Sequence, residues 1–97
     1  MKFDKIIEEM NKGRLVVWKD DGKTDAMNEK YMKDNFISFA ESMEAAAKMC
    51  RDLQDAERDR HGRALTRLRI TGTFEDYVCA EDSNEEVEKW IKKSRDV

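Results

Sequence analysis

Apolar residues along this chain fall in short clusters whose spacing changes from one cluster to the next. Phe3, Ile6, Ile7 and Met10 recur at i, i+3, i+4 and i+7, which places them on one face of a helix. Gly13 follows, where a helix commonly stops because glycine takes the left-handed conformation at little cost. Leu15-Val16-Val17-Trp18 predicts a strand, being rich in β-branched and aromatic residues and too short for a helix. Asp20-Asp21-Gly22 closes it with turn chemistry. From Lys23 to Asn35 the pattern thins. Met27 and Tyr31 stand one helical turn apart in a polar stretch, which reads as a short helix or a mobile loop.

Ser38 and Glu41 have the S-x-x-E spacing of a capping box and predict a helix starting near Phe39. Phe39, Met43, Ala46, Cys50 and Leu53 continue it as a narrow apolar seam, ending at about Gly62. The 23 residues from Phe39 to His61 would extend about 34 Å. The last turns, with Gln54, Asp55, Glu57, Arg58 and Arg60, are expected to overhang the core. After Gly62 the period becomes two: Thr66, Leu68 and Ile70 alternate with Arg67, Arg69 and Thr71. Gly72 marks a turn, and Phe74 to Ala80 reads as the returning strand. Ser83 and Glu86 form a second capping box, so the last helix should begin near Asn84 and bury Val87, Trp90 and Ile91. The prediction is one α+β domain over residues 1–97. A small antiparallel sheet of about three strands carries the N-terminal, long central and C-terminal helices on one face. Phe39, Met43, Cys50, Leu53, Leu68, Ile70 and Val78 should join those three C-terminal residues in the core.

Composition narrows the function classes. Charged residues make up 42% of the 97, and the apolar set 39%, so the core must be small. A net charge of −3 does not suit a generally basic nucleic-acid-binding protein, although a local basic patch would still hold phosphate. No run approaches the length of a membrane span, and the first residues lack the apolar core of a signal peptide. Cys50 and Cys79 are the only cysteines and have no CxxC spacing, which predicts neither a disulfide scaffold nor a zinc site, and a reducing, cytoplasmic setting.

Charge is segregated in the last third. Five arginines lie from Arg58 to Arg69 (Arg58, Arg60, Arg63, Arg67, Arg69), with Asp59 the only carboxylate among them. Seven carboxylates lie from Glu75 to Glu88, with no basic residue. Adjacent blocks of opposite sign act on partners and association rates more than on fold. The arginines suit phosphate or carboxylate through paired N–H donors, or else pair across a hairpin with Glu75 or Asp76. Glu85 and Glu86 serve the last helix as capping and dipole residues. Glu75, Asp76, Glu81, Asp82 and Glu88 remain as a cluster able to occupy a basic groove, with Glu81 and Asp82 expected at an exposed junction. A solvated face is the plainer meaning of such a run.

Chemistry is sparsely represented. His61, the only histidine, is one candidate general base, with Cys50, Cys79 or a serine as its nucleophile, yet no local nucleophile signature accompanies it. The EF-hand spacing is absent and the four glycines are isolated, so no calcium or phosphate loop is expected and no cofactor is implied. Trp18 is either core or an exposed anchor. Met27, Tyr31 and Met32 would suit a partner interface or, equally, serve incidental packing.

Two stretches carry a resemblance: residues 1–10 running into Arg14-Leu15-Val16-Val17, and Tyr77 to Ile91. In element order these are similar to small phage-encoded anti-CRISPR proteins, some of which have an N-terminal helix, a small antiparallel sheet and an acidic strand-to-helix junction. The resemblance implies a non-catalytic inhibitor whose carboxylates mimic nucleic acid in a groove of its target, an RNA-guided nuclease complex with basic channels. The alternative is a nucleic-acid-binding module using the arginine strip. Either role is compatible with a homodimer and requires no membrane.

Overall fold

The computed structural model describes residues 2–24 and 28–83, together with Glu85, Lys89, Lys92 and Lys93. The fold is α+β: α1 (Phe3–Asn11), β1 (Leu15–Lys19), α2 (Glu29–Asp34), β2 (Phe36–Ala40), α3 (Met43–His61), β3 (Leu68–Thr71) and β4 (Asp76–Cys79). The sheet has four strands in the order β2-β1-β3-β4, and every neighbouring pair is antiparallel. Since β2 and β3 both run against β1, they run parallel to each other. A connection between parallel strands needs a crossover, and α3 supplies it. Among the described residues no helix is long and apolar enough to cross a membrane.

The helices do not share one face of the sheet, as the sequence suggests. Leu15, Val17, Leu68 and Ile70 face α3 and pack on Ala46 and Cys50. Val16 and Trp18 face the other way, onto Ile6 and Met10 of α1 and Met32 of α2. Strand β1 is therefore buried on both sides, which explains its unbroken run Leu-Val-Val-Trp. Trp18 is fully buried. Its Nε1 donates to Thr71 Oγ1 at 2.9 Å, and Tyr31 meets its ring edge-on at 5.4 Å. Met32 is core and not a partner-facing residue, while Met27 lies outside the described residues.

The largest departure is at residues 36–42. The expected helix start near Phe39 is instead strand β2, and α3 begins at Met43, 19 residues long and about 28 Å. The capping residue is Ser42, whose Oγ accepts the Ala45 N–H at 3.1 Å, while Ser38 Oγ donates to the Phe39 carbonyl. Phe36-Ile37-Ser38-Phe39-Ala40 is a β-rich run, and a bulge opposite Val17/Trp18 sets Phe36 and Phe39 against the same core. Their rings meet edge-on at 4.9 Å. The stretch before β2 holds helix α2, capped by Asn28, whose Oδ1 accepts the Tyr31 N–H at 2.9 Å.

The far end of α3 does not overhang. Leu53, expected in the seam, is 42% exposed, whereas Gln54 is buried. Gln54 Nε2 lies 3.0 Å from the carbonyl of Cys79 and 3.2 Å from those of Thr66 and Ala80, where regular strand pairing ends. Glu57 accepts from the N–H and the hydroxyl of Thr66. Gly62, left-handed at φ 80°, stops the helix. Cys50, Leu68 and Ile70 are buried as expected. Phe39 and Met43 are half-buried, and Val78 is 42% exposed. Val87, Trp90 and Ile91 lie outside the described residues.

Candidate interaction surface

The sheet order brings the two charge blocks together. Arg58, on the last turn of α3, grips Asp82 with Nε–Oδ2 at 2.7 Å and Nη2–Oδ1 at 2.9 Å, and reaches Asp55 at 2.7 Å. Asp82 Oδ2 also accepts the Ala64 N–H at 2.9 Å, and the Asp82 N–H donates to the Ala64 carbonyl. The Arg58 guanidinium and the Ala64 N–H hold the Asp82 carboxyl at about 2, below its ordinary value. Its side chain is only 16% exposed, so Asp82 is an internal clasp and not part of an exposed junction.

Arg67 and Arg69 lie on the α1–α2 side of β3 and converge on Asp20, whose side chain is 1% exposed. Arg67 Nε donates to Asp20 Oδ2 at 3.1 Å, while Arg69 Nη1 stands 3.6 Å from Oδ1. Arg69 forms a paired contact with Asp76 across the hairpin, at 2.7 and 2.6 Å, and lies 5.6 Å from the Trp18 ring centre. The Arg69 contact lowers the Asp76 carboxyl from its usual range. Three of the five arginines are thus committed to carboxylates, and Arg63 is engaged as well. Arg60 is exposed on α3. Of the five candidate carboxylates, Asp82 is half-buried in the clasp, Asp76 is exposed but paired with Arg69, Glu75 and Glu81 are exposed, and Glu88 lies outside the described residues. Arg67 touches Glu81 only loosely, at 3.8 Å.

The conspicuous surface is apolar, and it sits beside those exposed carboxylates. β3 and β4 form a hairpin with Thr73 and Phe74 at its tip, closed by Gly72 N–H donating to the Glu75 carbonyl at 2.8 Å. Thr73 Oγ1 donates to the Met10 carbonyl at 3.0 Å, tying the tip to the end of α1. Phe74 is nevertheless 94% exposed, with Tyr77 at 57% and Val78 at 42% on the same edge strand. A cavity of about 330 Å³ opens beside Phe74, between Met10 and Asn11 at the end of α1, Gly13 and Arg14 of the α1–β1 connection, and the hairpin tip. Among the described residues β4 has a strand neighbour on one side only, so its outer edge presents backbone donors and acceptors. Sequence reasoning places Phe74 inside the returning strand. The signal for its actual position is a lone aromatic between Gly72 and an acidic pair, where a tight turn leaves nothing to pack on.

His61 and Cys50 do not meet. They are eleven residues apart on one helix, about 16 Å along its axis, with Cys50 buried and His61 exposed. Among the described residues no group of three His, Cys, Asp or Glu side chains is placed to hold a metal ion. Comparison with protein-family models, with curated proteins and with solved structures finds no match to this chain.

Proposed function

We propose that this chain is a small non-catalytic protein-binding module whose contact surface is the β3–β4 hairpin and the open edge of β4. The observation that carries the reading is Phe74, almost fully exposed on a tip hydrogen-bonded to α1. A large ring held out on an ordered tip has the composition of an interface centre, and Tyr77 and Val78 add exposed apolar surface on the two opposite faces of β4. The unpaired strand edge offers a partner main-chain hydrogen bonds.

Charge selects the partner. Residues 75–82 carry four carboxylates and no basic side chain. Glu75 and Glu81 flank the apolar strand without a close guanidinium partner, whereas Asp76 and Asp82 are held from within. A second copy paired through β4 would set this acidic strand against itself, which disfavours a homodimer at this edge. A partner presenting basic residues around an apolar or extended segment fits. Nucleic-acid-handling proteins have such surfaces, and the inhibitor role implied by the phage-protein resemblance belongs to this reading. The cytoplasm, with its reduced thiols, is the setting proposed. Direct nucleic-acid binding loses support because Arg58, Arg67 and Arg69 already hold carboxylates.

The test is affinity capture from the source cell with the tagged chain and two variants. Phe74→Ser should abolish capture of the partner while leaving the melting temperature unchanged. Joint reversal of Glu75 and Glu81 to lysine should slow association and remove its salt dependence. Added DNA or RNA should compete if the partner handles nucleic acid. Capture unaffected at position 74, or tight binding of the free chain to nucleic acid, would overturn the proposal.

A further inference from the structure

The chain's two cysteines are neighbours in space. Cys50 is 1% exposed on the apolar face of α3, among Leu68, Ile70 and Val17. Cys79 stands opposite Leu68 in the β3–β4 ladder, so its side chain points toward α3, and it packs on that same cluster. Gln54, one turn beyond Cys50, donates to the Cys79 carbonyl at 3.0 Å and holds this part of α3 over the end of β4. Burial, and then the adjacent Cys79 thiol, push the Cys50 thiol up to about 12. Both are free thiols here.

We propose that Cys50 and Cys79 form a reversible intramolecular disulfide, made by exchange with a low-molecular-weight disulfide such as oxidised glutathione, that staples β4 to α3. Cys79 is half-buried, the less buried of the two residues, and so the one a small disulfide reaches first. Its thiolate attacks the small disulfide, giving a mixed disulfide at Cys79 and one released thiolate. Cys50 Sγ then attacks Cys79 Sγ, the second small thiolate departs, and the Cys50 proton passes to it. Two electrons leave the protein dithiol and two small thiols are formed. Because Cys50 holds its proton tightly, the second step is the slower one. The inference concerns the tie between β4 and α3 and does not depend on what the hairpin binds.

The experiment treats the full chain with oxidised glutathione, then denatures, alkylates and maps it by mass. Both cysteines should become resistant to alkylation together, in a monomer lighter by two hydrogens and free of glutathione. The bridge closes a loop of about 30 residues, so the melting temperature should rise by on the order of 10 °C. Cys50→Ala should trap glutathione on Cys79, and Cys79→Ser should leave Cys50 unreacted in the native protein. Two alkylatable thiols after oxidation, a lasting glutathione adduct on the unsubstituted chain, a link between two molecules, or a bridged monomer that melts lower would each overturn the proposal.

Discussion

Removing the carboxylate of Asp82 tests the clasp between the end of α3 and the segment after β4. Its oxygens accept two bonds from Arg58 and one from the N–H of Ala64, a residue with no exposed surface. Hydrogen bonds to charged groups contribute about 1.5–3 kcal/mol each, and an orphaned buried N–H costs about 1–3 kcal/mol. Arg58 is 39% exposed and keeps Asp55, so solvent recovers much of its share. Asp82→Ala should therefore cost roughly 2–3 kcal/mol. Asp82→Asn, which keeps one acceptor in place, should cost about 1–2 kcal/mol. Urea denaturation should show the loss as a lower midpoint at unchanged slope. The pH dependence supplies a second readout. The folded-state value of about 2 lies below the unfolded one, so this stabilisation is complete above about pH 4 and fades as pH falls toward 2. The gap between the natural chain and Asp82→Asn should close over that interval. A double-mutant cycle with Arg58→Met should return a coupling of about 1–2 kcal/mol. A loss under about 0.5 kcal/mol, with the gap constant from pH 4 to 2, would refute the clasp and return Asp82 to the solvent-facing set.

Gly72→Ala should destabilise the fold by about 1–3 kcal/mol in thermal melts, because a Cβ there would collide with the Leu15 side chain and the Glu75 carboxylate; an unchanged melt would mean that the hairpin relaxes freely. Gln54→Ala removes a donor placed among three carbonyls and should cost about 1–3 kcal/mol. Amide exchange in β4 should then accelerate more than in β1, and equal protection of the two strands would show that Gln54 does not hold the edge.

Much of this fold is legible in local sequence. The spacing of Phe3, Ile6, Ile7 and Met10, the β-rich run of β1, the alternation through β3 and the glycine after α3 are short-range signals. They match the structure because each element's own residues decide its period and its ends. The boundary at 36–42 is different. Phe39 and Met43 keep helical spacing across a real strand end, and pairing with β1 decides in favour of the β propensity of Phe36 to Ala40. Burial of both faces of the sheet is likewise tertiary, since α1 and α2 take one side and α3 the other.

The candidate surface divides in the same way. Sequence alone determined that five arginines and a carboxylate run would be neighbours, and that no familiar catalytic or metal motif accompanies them. It could not say which charges cancel. Asp20 and Arg67 are 47 residues apart, and Arg58 and Asp82 are 24 apart. Antiparallel pairing of β1 with β3 makes the first contact, and the return of the chain past the end of α3 makes the second. The exposed ring of Phe74 follows from the same cause. Closing the hairpin at Gly72 and tying Thr73 to α1 leaves the tip with no apolar surface of its own to cover, a consequence of where the elements end in space and not of any pattern along the chain.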